Sequence, residues 1–188
     1  MILNHFDFED DAEVHYFDYS KSALAFKKML LNEWSGEDYP AFLDYAQRKY
    51  SINETGGNET QHLSRNELWQ RELQWWGSEK AIKDHWDRYK TLKHTFTHCD
   101  ICVDPQKITN RITGEENSVI WWSNAFHTVN AQYLRGLAGV RNCYETWTEQ
   151  IAEKNPNIWI LGKDYLDRPV EGSVIKDYLY AYNSENNN

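Results

Sequence analysis

Only three cysteines, four prolines and two methionines occur in the 188 residues, and no apolar run approaches the length of a membrane-spanning helix. An odd, sparse set of cysteines is not the disulfide framework of a small secreted domain. The opening residues, MILNHFDFEDD, lack the basic start and apolar core of a signal peptide. These absences lead us to expect a cytoplasmic protein without membrane association. Positive charge is scarce as well: 20 Lys and Arg against 29 Asp and Glu leave a net charge of −9, which argues against general affinity for a nucleic-acid backbone. No internal repeat, no P-loop and no Gly-x-Ser-x-Gly nucleophile elbow occurs.

Aromatic residues are plentiful. Nine Trp, twelve Tyr and seven Phe exceed what a core of this size needs for packing, and leave rings for a cleft or an interface. The length suits one domain, residues 1–183, with an Asn-rich tail over 184–188 that composition marks as disordered. In chain order, Glu13 to Asp18 reads as a strand, and Ser20 caps a helix whose apolar face is Ala23, Leu24, Phe26, Leu30, Leu31 and Trp34, ended by Gly36. A short helix over Asp38 to Tyr50, a Gly/Asn linker over 53–60, and a tract from Ser64 to Leu92 broken at Gly77–Ser78 follow. Together, residues 38–92 read as a helical insertion.

Residues 93–127 then give a strand at Thr95 to Cys99, a short helix at Gln106 to Ile112 behind Asp104 and Pro105, and a strand at Ser118 to Trp122. Strands joined through a helix and lying side by side must be parallel, and ligands of open parallel sheets bind beyond the carboxyl ends of the strands. Asp18, Asp100 and Asn124 stand at those ends; the alternative is that they are ordinary turn formers capping the next element. Beyond them, Thr128 to Lys154 reads as a helix, or a pair broken near Gly136 and Gly139, and Ile158 to Leu161 as a central strand. Ser173 to Tyr182 alternates as an antiparallel edge strand would.

On these junctions, VHYFDYS, THCDI and VIWWSNAF, the chain resembles the class I S-adenosylmethionine-dependent methyltransferases over roughly residues 13 to 182. The resemblance implies an α/β fold with a Rossmann-like, mostly parallel sheet flanked by helices. It implies that Asp18, with Tyr19 beside it, holds the ribose hydroxyls of S-adenosylmethionine. Asp100, next to Ile101, would contact the adenine amine, and Ser123, Asn124 and Phe126 would line the methyl donor. The family's first strand and glycine-rich loop have no counterpart, since HFDFEDDAE before Asp18 contains no glycine. That departure implies a split form whose sheet a second polypeptide completes, or a fold relative without cofactor binding.

Other chemistries fit less well. His94, His98, Cys99 and Cys102 crowd together, but no second pair of ligands stands at zinc-site spacing. His98-Cys99-Asp100 has the form of an iron facial triad, with His127 a distant third ligand, and Cys99-Asp100-Ile101-Cys102 that of a redox pair. His127 and Tyr133 are candidate acid–base groups. A reading of another class is a non-catalytic Rossmann-like module that binds a protein partner through its surplus rings.

Overall fold

The structure is a computed structural model that describes residues 8–50, 64–113 and 117–186. The linker expected over 53–60 lies outside these residues. The chain divides into two compact units, Tyr16–Lys21 with Phe96–Asn188 and Asp7–His15 with Ser22–Thr95.

The second of these is built from helices α1 (Lys21–Glu33), α2 (Tyr39–Tyr50), α3 (Arg65–Trp76) and α4 (Glu79–Thr91). Local chemistry sets their ends as the sequence suggests. Ser64 and Glu67 form a reciprocal capping box, Gly77 closes α3 in the left-handed region at φ 78°, and the Ser78 hydroxyl accepts from Ala81 N to open α4. Trp34 organises the packing, with its ring 4.8 Å from Trp86 and 5.2 Å from Tyr39, while its carbonyl accepts the Trp86 indole N–H at 3.0 Å. Gly36 is required beside them, because at φ 93° a Cβ would also lie 2.9 Å from the Trp86 ring.

Strands β1 (Glu13–Asp18) and β2 (Lys93–His98) form a two-stranded sheet. Their contacts advance in the same direction: Glu13 with Lys93, His15 with Thr95, Tyr16 stacked on Phe96 at 4.7 Å, and Asp18 O accepting from Cys99 N at 3.0 Å. The pair therefore runs parallel. Helix α5 (Gln106–Thr109) is shorter than the sequence suggests.

A separate sheet has the order β3 (Val119–Trp121), β4 (Trp159–Lys163), β5 (Pro169–Val174), with β3–β4 parallel and β4–β5 antiparallel. The expected single, mostly parallel sheet is not seen among the described residues: β2 pairs with β1, β3 pairs with β4, and the described strands lie in two sheets. A strand–helix–strand order fixes neither partner, because pairing is decided by long-range contacts that local pattern does not carry. The molecule is a mixed α/β protein.

Two further corrections concern the end of the chain. The antiparallel edge strand is Pro169–Val174, and Ile175–Asn186 is helix α7 rather than the strand expected over Ser173 to Tyr182. Ile175 and Tyr182 are buried, with Tyr178 and Leu179 packed against the same core, which is helical spacing; the apparent alternation depends on Tyr180, which is 80% exposed. The helix runs through residues 184–186, where disorder was expected, and 187–188 lie outside the described residues.

The core of this unit lies between one face of β3–β4–β5, α7 and the long helix α6 (Val129–Lys154). Phe126, Val140, Tyr144, Ile151, Ile160 and Ile175 are fully buried within it. Gly136 breaks α6 at φ 63°, ψ 170°, as its glycine suggested, and Asn155-Pro156 ends it. Trp122 sits over Gly162, where a Cβ would come within 2.5 Å of the indole ring and 2.6 Å of the Trp122 carbonyl, beside an irregularity in the β4 register. Gly162→Ala is expected to destabilise the fold by about 1–3 kcal/mol through overpacking, read as an earlier urea midpoint at unchanged slope.

Candidate functional site

Parallel pairing brings Asp18 and Asp100 to the same end of two neighbouring strands. Each carboxylate closes a local turn. Asp18 Oδ1 accepts from Ser20 N at 2.9 Å, and Asp100 Oδ1 accepts from Cys102 N at 2.8 Å, while the Asp100 carbonyl takes Val103 N and Asp104 N. The turn-forming role is therefore real for both carboxylates. Asp100 Oδ2 is 3.2 Å from Arg135 Nη2. The Tyr19 carbonyl accepts from His98 Nε2 at 2.8 Å, and the Tyr19 side chain is exposed. Ile101 is half-buried against the core cluster.

At the carboxyl end of β3, Ser123 Oγ donates to Asn124 Oδ1 at 3.2 Å, and the Asn124 carbonyl accepts from His127 N at 3.0 Å. Both Ser123 and Asn124 are exposed. Beyond β4, Asp167 adopts φ 64°, a conformation that Asp tolerates better than most residues, and its N–H bonds the Asp164 carbonyl. Lys163 Nζ lies 2.9 Å from Asp167 Oδ1 and holds that carboxyl below the usual range; His127 Nδ1 is 3.8 Å from the same oxygen. Asp167, Lys163 and His127 thus share one place at the ends of two parallel strands.

Phe126 is the clear departure. It is 0% exposed, with its ring 5.0 Å from Tyr144 and 5.3 Å from Trp147, so it packs the core and lines no cleft. Nothing in WWSNAF distinguishes a ring that faces a ligand from one that faces inward.

The cysteines are also rearranged. Cys102 forms a disulfide with Cys143 on α6, with Cα atoms 5.4 Å apart, so a bridge exists although the cysteines are too sparse for a disulfide framework, and the Cys99–Cys102 redox pair does not form. Cys99 is buried; its thiol donates to Asp104 O at 3.4 Å, and burial pushes its pKa up. His94 Nε2 is committed to Tyr89 O at 2.9 Å, and burial lowers the pKa of that ring. Among the described residues no group of three or more His, Cys, Asp or Glu side chains gathers as a metal site. Among them, too, no helix is long and apolar enough to cross a membrane.

Sequence reasoning missed Arg135, Lys163, Asp167 and the disulfide, all of which are made by contacts between distant segments or across a tight turn. Only the turn string Asp167-Arg168-Pro169 carried a local signal. No family model, no curated protein and no solved structure matches this chain.

Proposed function

We propose that the chain is a methyltransferase-like domain that binds the adenosine portion of S-adenosylmethionine, with its sheet completed into a Rossmann-like one by a strand from a second polypeptide. The observation that carries this reading is the parallel pairing of β1 and β2, which sets Asp18 and Asp100 at the carboxyl ends of neighbouring strands. That is where open parallel sheets take their ligands. A carboxylate accepts two ribose hydroxyls well, and a second accepts an adenine N–H, each as a charge-assisted hydrogen bond.

Asp18 and Asp100 supply acceptors for the adenosine moiety, whereas HFDFEDDAE before Asp18 has no glycine that would let the backbone approach the amino-acid moiety. When bound, the cofactor supplies an electrophilic methyl group. This chain's contribution is positioning: Asp18 and Tyr19 on the ribose side, Asp100 and Ile101 at the base, and Ser123 and Asn124 at the end of β3. Phe126 contributes by holding the turn that carries Asn124.

Equilibrium titration of the purified chain with S-adenosylhomocysteine tests the reading. Binding that is lost in Asp100→Asn, a variant that keeps the turn-closing oxygen, supports it; undiminished binding by that variant removes Asp100 from the site.

A second reading is favoured by a different observation. Val119, Trp121 and Trp159 are 40%, 53% and 44% exposed and stand together on the outer face of β3–β4, as an interaction surface would. A purely interacting module leaves Asp18 and Asp100 without a ligand.

A further inference from the structure

The carboxylate proposed to receive the adenine amine is not open as it stands. Asp100 Oδ2 is 3.2 Å from Arg135 Nη2, with both side chains partly exposed at 40% and 28%. A guanidinium N–H therefore stands where an exocyclic amine N–H would donate. Partly exposed pairs of this kind are weak, so the contact can be exchanged for an equivalent one at little cost.

Arg135 is also the last residue before the break in α6. Gly136 leaves the helical region at φ 63°, ψ 170°, and a Cβ placed there would meet no atom within 4 Å, so the chain turns in open space. Before the break Tyr133 and Leu134 are 87% and 63% exposed, and the small Ala131 is the partly buried apolar side chain of the stretch packed against the core, so the stretch is lightly held. Beyond it, Val140, Tyr144 and Trp147 are buried, which fixes the second part of α6.

The turn that carries Asp100 is anchored covalently to that fixed part, and its described tie to the first part is the Arg135 contact. The Cys102–Cys143 disulfide joins the residue two beyond Asp100 to the helix past Gly136. If residues 128–135 move about Gly136, Asp100 stays where the disulfide holds it and loses only its Arg135 contact.

We infer that Arg135 is a latch on Asp100: in the free protein it occupies the carboxylate, and ligand binding displaces it by movement of residues 128–135 about Gly136. This rests on the reading of Asp100 as the adenine-side group. The latch predicts that removing the guanidinium improves ligand binding, whereas a residue that itself contacted the ligand would weaken it on removal.

The experiment has two arms, both with the full chain and Arg135→Met, which keeps the apolar stem and removes every donor. In hydrogen exchange without ligand, the latch predicts faster exchange over residues 131–135 in the variant and unchanged exchange over 140–151. In titration with S-adenosylhomocysteine, it predicts affinity raised about two- to fivefold, the release of one weak ion pair. Equal exchange in both proteins overturns the latch, and so does weakened binding in the variant, which would make Arg135 a ligand contact. If neither protein binds S-adenosylhomocysteine, the methyltransferase reading fails; the exchange arm still decides whether Arg135 restrains the segment.

Discussion

Phe126→Ala will cost the protein about 3–5 kcal/mol of stability, the range for emptying a buried phenylalanine site. The ring is 0% exposed and sits among Trp122, Tyr144 and Trp147, all of them large and themselves packed by β4 and α6, so the site cannot collapse around a methyl group. For a chain of this length the loss corresponds to a fall in melting temperature of roughly 6–20 °C. The result separates two roles for the same residue. A ring that lined a cofactor cleft would give a folded, nearly wild-type-stable variant with impaired binding. Tyr19→Ala, at a 52% exposed ring, is the matched control and should change the melting temperature by little.

Breaking the Cys102–Cys143 disulfide should have a comparable effect. The bridge closes a loop across a sequence separation of 41 residues, for which the chain-entropy account gives about 4 kcal/mol. We expect a reductant, or the Cys102→Ala/Cys143→Ala pair, to lower the melting temperature by a margin similar to that of Phe126→Ala. Thiol titration of the oxidised, denatured chain should find one free thiol, that of Cys99. Three thiols together with an unchanged melting temperature in reductant would show that the bridge does not form in solution. The bridge also weighs against the cytoplasm expected from an odd, sparse set of cysteines, because disulfides persist poorly in reducing compartments.

What the sequence disclosed was local. β1, the capping box at Ser64, the Gly77–Ser78 break and the kink at Gly136 each follow from the chemistry of a few adjacent residues, and each appears where those residues are. The positions of Asp18, Asp100 and Asn124 at strand ends were legible for the same reason. What was not legible depends on segments far apart in sequence: which strand pairs with which, the disulfide, and the approach of Arg135 to Asp100. The error at α7 has another origin. Val174, Lys176, Tyr178, Tyr180 and Tyr182 satisfy a period of two, but Ile175, Tyr178, Leu179 and Tyr182 satisfy a helical one and meet the core. For Phe126, direction relative to the core was the deciding fact, and no local pattern encodes it.

The central claim is that Asp18 and Asp100 form the adenosine-binding end of β1 and β2, and the most direct measurement is the affinity of the chain for S-adenosylhomocysteine before and after Asp18→Asn. Asparagine keeps the side-chain oxygen that closes the turn at Ser20 N, so the fold is preserved and only the charge is lost. The account predicts measurable binding by the unaltered chain that weakens by about ten- to a hundredfold in the variant, the cost of a charge-assisted hydrogen bond. Equal affinity in the two folded proteins, or no binding by either, would contradict it.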